Sequence, residues 1–175
     1  MFNGEKVLLR ALTRDDMKKQ WEFENDPEIW YWDGYYPKPT KLETVIGYFE
    51  QSVTNDNPNS VSWAIDVDGD YIGYCSLSGF DQTSRHCELQ VEIGNKMHWG
   101  NGLGREVVAI LLDYAFTHRN MHRVWLKTHS KNERALRCYL ACGFVEEGRL
   151  RQHVWLKGEY IDRVFMGVLR SDYDN

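Results

Sequence analysis

A glycine-rich turn between a predicted strand and a long predicted helix is the feature that most constrains the fold of this chain. The strand ends at Val91-Glu92-Ile93, and the glycines of the turn are Gly94, Gly100, Gly102 and Gly104. From residue 103 the apolar residues recur at helical spacing, as Leu103, Val107, Ile110, Leu111 and Tyr114. Glycines let a backbone approach a phosphate closely, and a helix N-terminus offers unpaired N–H donors and the positive end of its dipole. The turn therefore indicates either a site for a phosphorylated cofactor or a tight connection that needs positive φ.

Two common nucleotide-binding patterns do not fit this turn. A Walker A motif ends in Lys followed by Ser or Thr, whereas Arg105-Glu106 follows the glycines here. The dinucleotide pattern G-x-G-x-x-G would place its third glycine at Arg105 or at Val107, depending on the glycine from which it starts. The sequence thus indicates neither a P-loop NTPase nor a dinucleotide-binding fold.

The rest of the chain predicts an α/β (α+β) fold with a central mixed, mostly antiparallel sheet flanked by helices. The dipeptides Asp68-Gly69 and Lys157-Gly158 each lie between two strand-like segments and predict hairpins. The predicted order of elements is β-α-α-βββ-α-β-α-ββ, in a single domain over residues 1–175. Residues 26–40 are rich in proline, glycine and aromatic residues, and they are predicted to form a loop with short helical turns.

Composition excludes some classes of function. The chain has 21 basic and 26 acidic residues and a formal net charge of −5, which does not favour nucleic acid as a partner. The longest apolar run, residues 107–112, is too short to span a membrane, and the start of the chain shows no secretory signal. We therefore expect a cytoplasmic protein without a membrane partner. The four cysteines form no CxxC pair and have no His pair at zinc spacing, so we expect reduced thiols and no metal.

Two motifs together make the chain resemble the GNAT superfamily of N-acetyltransferases. The first is the acetyl-CoA motif Q/R-x-x-G-x-G/A, here residues 99–104, in which Trp99 stands where the family has Gln or Arg. The second is Asn132-x-x-Ala135-x-x-x-Tyr139-x-x-x-Gly143-Phe144. Residues 87–93 and 143–148 look like the spermidine acetyltransferases, and Gly158-x-Tyr160-x-Asp162 also recurs in the ribosomal-protein-alanine branch. Similar polyamine enzymes carry an acidic residue on the hairpin strand where this chain reads Cys75-Ser76-Leu77-Ser78.

The resemblance implies that acetyl-CoA is the cosubstrate and that it binds at the glycine-rich turn. The backbone N–H groups of residues 99–105 would bind the pyrophosphate. The strand of residues 91–93, which would splay from its neighbour at a bulge, would pair with the pantetheine and donate an N–H to the thioester oxygen. The implied cofactor-binding residues are Val91, Glu92, Ile93, Trp99, Gly100, Asn101, Gly102, Leu103, Gly104, Arg105, Asn132 and Tyr139.

The resemblance also implies catalytic roles. Tyr139 would be the general acid for the departing thiolate, because a phenol with a pKa of about 10 is a neutral donor close to a thiol at about 8.5. Its alternative is a tyrosine packed in the core with its hydroxyl at the surface. Glu88 or Glu92 would act as the base through water, or each would form a surface ion pair. Asn132 would contact CoA, cap a helix, or do both.

The acceptor is the least determined part of the function. The aromatic and acidic stretch of residues 26–36 lies where relatives place their acceptor-binding elements, and it suits a cationic amine; the residues implied are Trp30, Tyr31, Trp32, Asp33 and Tyr35. A packed lid or a homodimer contact would use the same residues. The sequence thus predicts an acetyl-CoA-dependent N-acetyltransferase acting on a protein N-terminus, a polyamine or another small amine. The alternative is a non-catalytic acyl-CoA sensor or scaffold of the same fold.

Overall fold

The computed structural model describes residues 1–34, 38–55 and 57–173. Within these residues eight strands form one sheet in the order β1-β2-β3-β4-β5-β6-β8-β7. The strands are β1 (Phe2–Asn3), β2 (Leu8–Arg10), β3 (Ser60–Val67), β4 (Asp70–Asp81), β5 (His86–Ile93), β6 (Arg123–His129), β7 (Val145–Leu156) and β8 (Glu159–Leu169). The α-helices are α1 (Asp16–Glu24), α2 (Pro27–Asp33), α3 (Leu42–Thr54), α4 (Leu103–Asp113), α5 (Glu133–Ala141) and α6 (Arg170–Tyr173), and there are also a short 3-10 helix (Lys96–His98) and a π-helical turn that continues α4 (Tyr114–His118). None of these helices is long and apolar enough to cross a membrane.

The predicted fold class is confirmed, because every strand pair except β5–β6 is antiparallel and helices flank the sheet. Both predicted hairpins are also present. Asp68 and Gly69 have φ angles of 54° and 84°, and Lys157 and Gly158 have 46° and 88°. Positive φ at both central residues matches the right-handed twist of the flanking strands.

The main difference from the sequence prediction is α2, which occupies part of the segment expected to be a loop. Asp26 accepts a hydrogen bond from the N–H of Glu28, and Pro27 occupies the first helical position. Gly34 ends the helix in the left-handed conformation, with φ of 75°. Local capping therefore produces a regular helix where the composition suggested only isolated turns. The structure also adds the short elements β1 and α6.

The parallel pair β5–β6 positions the functional site. These strands pair only from His86 to Glu88 with Arg123 to Trp125, and beyond Glu88 they diverge. The buried face of α4, which contains Val107, Val108, Leu111 and Leu112, belongs to the main hydrophobic core beneath the sheet. Because α4 follows β5 and α5 follows β6, both helices begin beside the gap between the diverging strands.

Candidate active site

A cleft of about 630 Å³ opens where β5 and β6 diverge. Residues 88–93 of β5 form one wall, the first turns of α4 and α5 form another, and α2 contributes Ile29, Trp32 and Asp33. The splayed strand that the resemblance implied is present. The irregularity in its pairing with β4 lies between Ser78 and Asp81, however, and β5 pairs without interruption from Glu88 to Ile93. The bulge therefore lies in β4, between Ser78 and Asp81 and opposite the start of β5, rather than at residues 91–93.

The glycine-rich turn presents free backbone donors to this cleft. Gly102 is the N-cap of α4 in the left-handed conformation, with φ of 83° and no side-chain cap. Within the described part of the chain, the N–H groups of residues 100–104 have no hydrogen-bond partner. A Cβ atom at Gly100 or Gly102 would meet no described atom within 4 Å, so a ligand has room to approach. These features fit a diphosphate at the N-terminus of α4.

Most of the implied cofactor-binding residues line the cleft. They are Val91, Glu92, Ile93, Trp99, Gly100, Gly102, Leu103, Gly104, Arg105, Asn132 and Tyr139. Asn101 is not among the lining residues, and its side-chain amide donates instead to the carbonyl of Met97 at 3.4 Å. The indole Nε1 of Trp99 donates to the carbonyl of Ile93 at 2.6 Å, which fixes the ring at the entrance to the turn.

Tyr139 lies in the wall of the cleft. Its ring packs against Phe144, with ring centroids 5.8 Å apart, and its hydroxyl forms no hydrogen bond with any described residue. Burial, and then nearby groups that include Asp33, raise the pKa of Tyr139 above its ordinary value. The phenol therefore remains protonated at neutral pH and is free to donate to a ligand.

Asp33 and Glu92 form a hydrogen-bonded carboxyl pair in the same cleft. Glu92 also accepts from Nε2 of Gln20 at 3.1 Å, and Oε1 of Gln20 accepts from the hydroxyl of Tyr71 at 2.7 Å. Burial raises the pKa of Asp33 to about 6. Burial, followed by the charge of Asp33, raises the pKa of Glu92 well above its usual range. Near neutral pH the pair shares one proton and carries one negative charge.

Glu88, the other carboxylate considered as a base, is held differently. It lies at the last position of β5 that pairs with β6, and its Oε1 is 2.9 Å from Nζ of Lys127 on β6. This ion pair is the alternative that the sequence left open for Glu88. Because the Lys127 ammonium already binds the Glu88 carboxylate, the Asp33–Glu92 pair, which keeps one ionised carboxylate near neutral pH, is better placed than Glu88 to receive a proton.

The predicted acceptor residues divide among the faces of α2. Trp32 and Asp33 line the cleft, whereas Trp30 does not, and Tyr31 packs edge-on against His129, with ring centroids 5.9 Å apart. Tyr35 lies outside the described residues.

Asn132 joins α2 to α5. Its Oδ1 accepts from the N–H of Ala135 at 3.2 Å, which caps α5 as predicted. Its Nδ2 donates to the carbonyl of Trp32 at 3.1 Å, so the same side chain holds the end of α2. Asn132 therefore fixes the end of α2 relative to the first turn of α5.

The roles of His129 and Arg134 were not predicted from the sequence. His129 is fully buried, and its Nε2 lies 3.1 Å from the carbonyl of Tyr31 and 3.0 Å from that of Trp32. Burial lowers the pKa of His129, so the neutral ring donates from Nε2 and anchors the last turn of α2. The role of His129 depends on where α2 packs in the folded protein, so no sequence pattern could have indicated it.

Arg134 lies inside the second motif, between Asn132 and Ala135. Its place in that motif was a signal in the sequence that could have identified it as a candidate site residue.

Known proteins match this chain over nearly its whole length. The family model described as "Acetyltransferase (GNAT) domain" matches residues 6–145. Spermidine N(1)-acetyltransferase of Vibrio cholerae is 30% identical over 173 residues, which are 98% of each chain. The putative ribosomal N-acetyltransferase YdaF of Bacillus subtilis is 24% identical, covering 98% of this chain and 95% of that protein.

A solved structure shares both the fold and the expected cofactor. The crystal structure of spermidine N-acetyltransferase from Vibrio cholerae in complex with CoA and spermine has a TM-score of 0.88 and 28% identity, with 98% of this chain and 100% of that chain covered. Both sequence motifs, the cleft at the diverging strands and these matches agree. The chain belongs to the GNAT family and is an N-acetyltransferase that uses acetyl-CoA as its cosubstrate.

Proposed function

We propose that this enzyme acetylates a primary amine of a polyamine of the spermidine and spermine type. The observation that carries the proposal is the Asp33–Glu92 carboxyl pair, which places one negative charge inside the cleft beside the hydroxyl of Tyr139. A polyamine is cationic at neutral pH, and an enclosed carboxylate favours such an acceptor over a neutral one. The similar Vibrio cholerae protein is named for spermidine, and its structure contains spermine. In this proposal the singly charged Asp33–Glu92 pair supplies the acidic group that similar polyamine enzymes carry on the hairpin strand and that residues 75–78 lack.

The same groups account for the protons that acetyl transfer releases. An acceptor ammonium gives up two protons as it becomes an amide. In this proposal one proton passes to the Asp33–Glu92 pair and then to solvent, which leaves a neutral amine free to attack. Tyr139 donates its hydroxyl proton to the departing thiolate and recovers a proton from the amine nitrogen through water. Acetyl-CoA supplies the thioester that this amine attacks.

The backbone holds the cosubstrate in this proposal. The N–H groups of residues 100–104 bind the diphosphate, and residues 89–93 offer the open side of β5, where β6 has diverged. An N–H from that strand stabilises the developing oxyanion. Because these donors are fixed by the sheet and by α4, little reorganisation is needed during the reaction.

Two glycine variants test the role of the turn. Gly102→Val is expected to weaken CoA binding about tenfold or more, because a β-branched residue at φ of 83° adds roughly 1–3 kcal/mol of strain that a changed turn would relieve. Gly104→Ala is the matched control, since its Cβ would lie 3.5 Å from Sγ of Cys138, an ordinary contact. Calorimetric titration with CoA measures both. If Gly102→Val binds CoA with unchanged affinity, the glycine-rich turn is not part of the CoA-binding site.

The acceptor is tested by following free thiol released from acetyl-CoA with a panel of amines. The panel contains spermidine, spermine, an aminoglycoside, lysine, and peptides with alanine or serine at the N-terminus. We expect the highest kcat/KM with the polyamines and acetylation of a primary amine in the isolated product. A peptide preferred over both polyamines would overturn the proposed acceptor while leaving the acetyltransferase activity intact.

The cytoplasmic location, the homodimer and the single domain over residues 1–175 remain predictions from the sequence.

A further inference from the structure

Arg134, in the first turn of α5, lies between two indole rings at the edge of the cleft. Its guanidinium carbon is 3.7 Å from the centroid of the Trp99 ring and 5.5 Å from that of the Trp32 ring. Stacking on an aromatic face fixes the plane of a guanidinium and leaves its N–H groups free at the edge of that plane. Arg134 is thus an oriented set of donors that faces the same cleft as the glycine-rich turn.

Among the residues that the structure describes, no protein group satisfies the donors of Arg134. Within the described residues, Arg134 forms no hydrogen bond and no ion pair closer than 4 Å. Partial burial lowers the pKa of Arg134, and the charge of Glu28 opposes this effect. Glu28 itself lies 3.2 Å from Nζ of Lys96, so its charge is already compensated. A half-buried guanidinium without a hydrogen-bond partner is costly unless an anion completes the site.

The position of Arg134 relates it to the unusual first residue of the acetyl-CoA motif. Trp99 stands where the family has Gln or Arg, and the one polar atom of its side chain is bound to the carbonyl of Ile93. That motif position therefore offers no side-chain donor to a phosphate. Arg134 stacks directly on the Trp99 ring, which leads into the free N–H groups of residues 100–104. The guanidinium of Arg134, on α5, therefore lies beside the motif position at which Trp99 supplies no polar side chain for a phosphate.

We propose that Arg134 binds the pyrophosphate of CoA and so replaces the polar side chain that Trp99 lacks. The inference rests on the cofactor cleft of the proposed function but not on the identity of the acceptor. A guanidinium suits this role because its fork of donors matches two phosphate oxygens, which a lysine binds only as a point charge.

Binding of three ligands without any acceptor tests the proposal. The ligands are CoA, dephospho-CoA, which lacks only the 3′-phosphate, and pantetheine, which has no phosphate. Calorimetry is used with wild type, Arg134→Ala, Arg134→Lys and Arg14→Ala. Arg14 is the matched control, because it is an arginine that pairs with Glu50 at 3.4 Å and lies outside the lining of the cleft.

We expect Arg134→Ala to weaken CoA and dephospho-CoA equally, by about tenfold to a hundredfold, and to leave pantetheine unchanged. Arg134→Lys should recover part of the loss, and Arg14→Ala should bind like wild type. A loss for CoA alone would assign Arg134 to the 3′-phosphate and overturn the proposal. A loss that includes pantetheine, or a lower Tm with unchanged affinity for CoA, would show that Arg134 only holds Trp32 against Trp99. These titrations contain no amine, so a failed acceptor assignment would not affect them.

Discussion

Tyr139→Phe is expected to lower kcat about 100-fold or more while leaving the affinity for CoA close to that of wild type. The phenol lies in the cleft wall without a hydrogen-bond partner among the described residues, and its raised pKa keeps it protonated. Removing a positioned general acid typically costs a factor of 10² to 10⁴. The packing of the ring on Phe144 is retained by phenylalanine, so the fold should be preserved. The measurements are steady-state thiol release and calorimetric CoA binding on the same sample.

The two readouts separate catalysis from binding. A sensor of the same fold would bind CoA in both proteins and show no amine-dependent thiol release in either. A Tyr139→Phe enzyme with a wild-type kcat would instead show that water, or another group, protonates the thiolate.

Asp33→Asn is expected to lower kcat/KM for a polyamine at least about 30-fold. Removing one partner of an enclosed charge contact costs about 2–5 kcal/mol, and the asparagine accepts no proton from the ammonium. Glu92→Gln is the matched comparison, because glutamine still donates a hydrogen bond to Asp33 and leaves that carboxylate ionised. We expect a smaller loss in Glu92→Gln, with the CoA affinity unchanged in both variants. Equal activity of Asp33→Asn and wild type would exclude the pair from acceptor recognition.

The carboxyl pair also predicts a pH dependence. The pKa of Asp33 is raised to about 6, so kcat/KM should fall as the pH decreases through that value and the pair becomes neutral. Glu24 and Tyr139 also interact electrostatically with this pair, and Tyr71 is linked to Glu92 through hydrogen bonds of Gln20. Of these groups, Asp33 is the one whose pKa is near 6. In Asp33→Asn, kcat/KM should no longer fall as the pH decreases through about 6. If the fall persists in this variant, the titrating group is a residue other than Asp33.

Stability should respond in the opposite direction to activity. Between about pH 4, where an unfolded aspartate releases its proton, and about pH 6, the folded protein still holds that proton. The folded state then binds more protons than the unfolded chain, so the free energy of unfolding contributed by Asp33 decreases as the pH rises through this range. Urea denaturation of wild type and Asp33→Asn at both ends of the range measures this contribution.

Features that depend only on residues near one another in the chain were predictable from the sequence. Gly102 and the apolar spacing after Leu103 indicated a tight turn followed by a helix, because both features depend on neighbours in the chain. Tyr139 and Asn132 were identified through the motif they share. The cap of α5 by Asn132 then followed from local hydrogen bonding alone.

Contacts between distant segments were not predictable in the same way. Asp33 and Glu92 were both candidates, yet their pairing depends on how α2 packs across the end of β5. The place of α2 depends in turn on His129, whose ring donates to carbonyls 97 and 98 positions earlier in the chain. No periodicity in the sequence encodes such a contact, and residues 26–40 looked irregular because their helix is defined by its caps rather than by an apolar stripe.

Direct transfer within one cleft is tested most directly by initial velocities over a grid of acetyl-CoA and spermidine concentrations. Cys138 also lines the cleft, but its hydrogen bond with Cys142, and then burial, raise the pKa of its thiol, which makes it a poor nucleophile. We therefore expect intersecting lines in double-reciprocal plots, as a ternary complex requires, and no thiol release without amine. Parallel lines with a burst of thiol before amine is added would demonstrate an acetylated enzyme and contradict direct transfer.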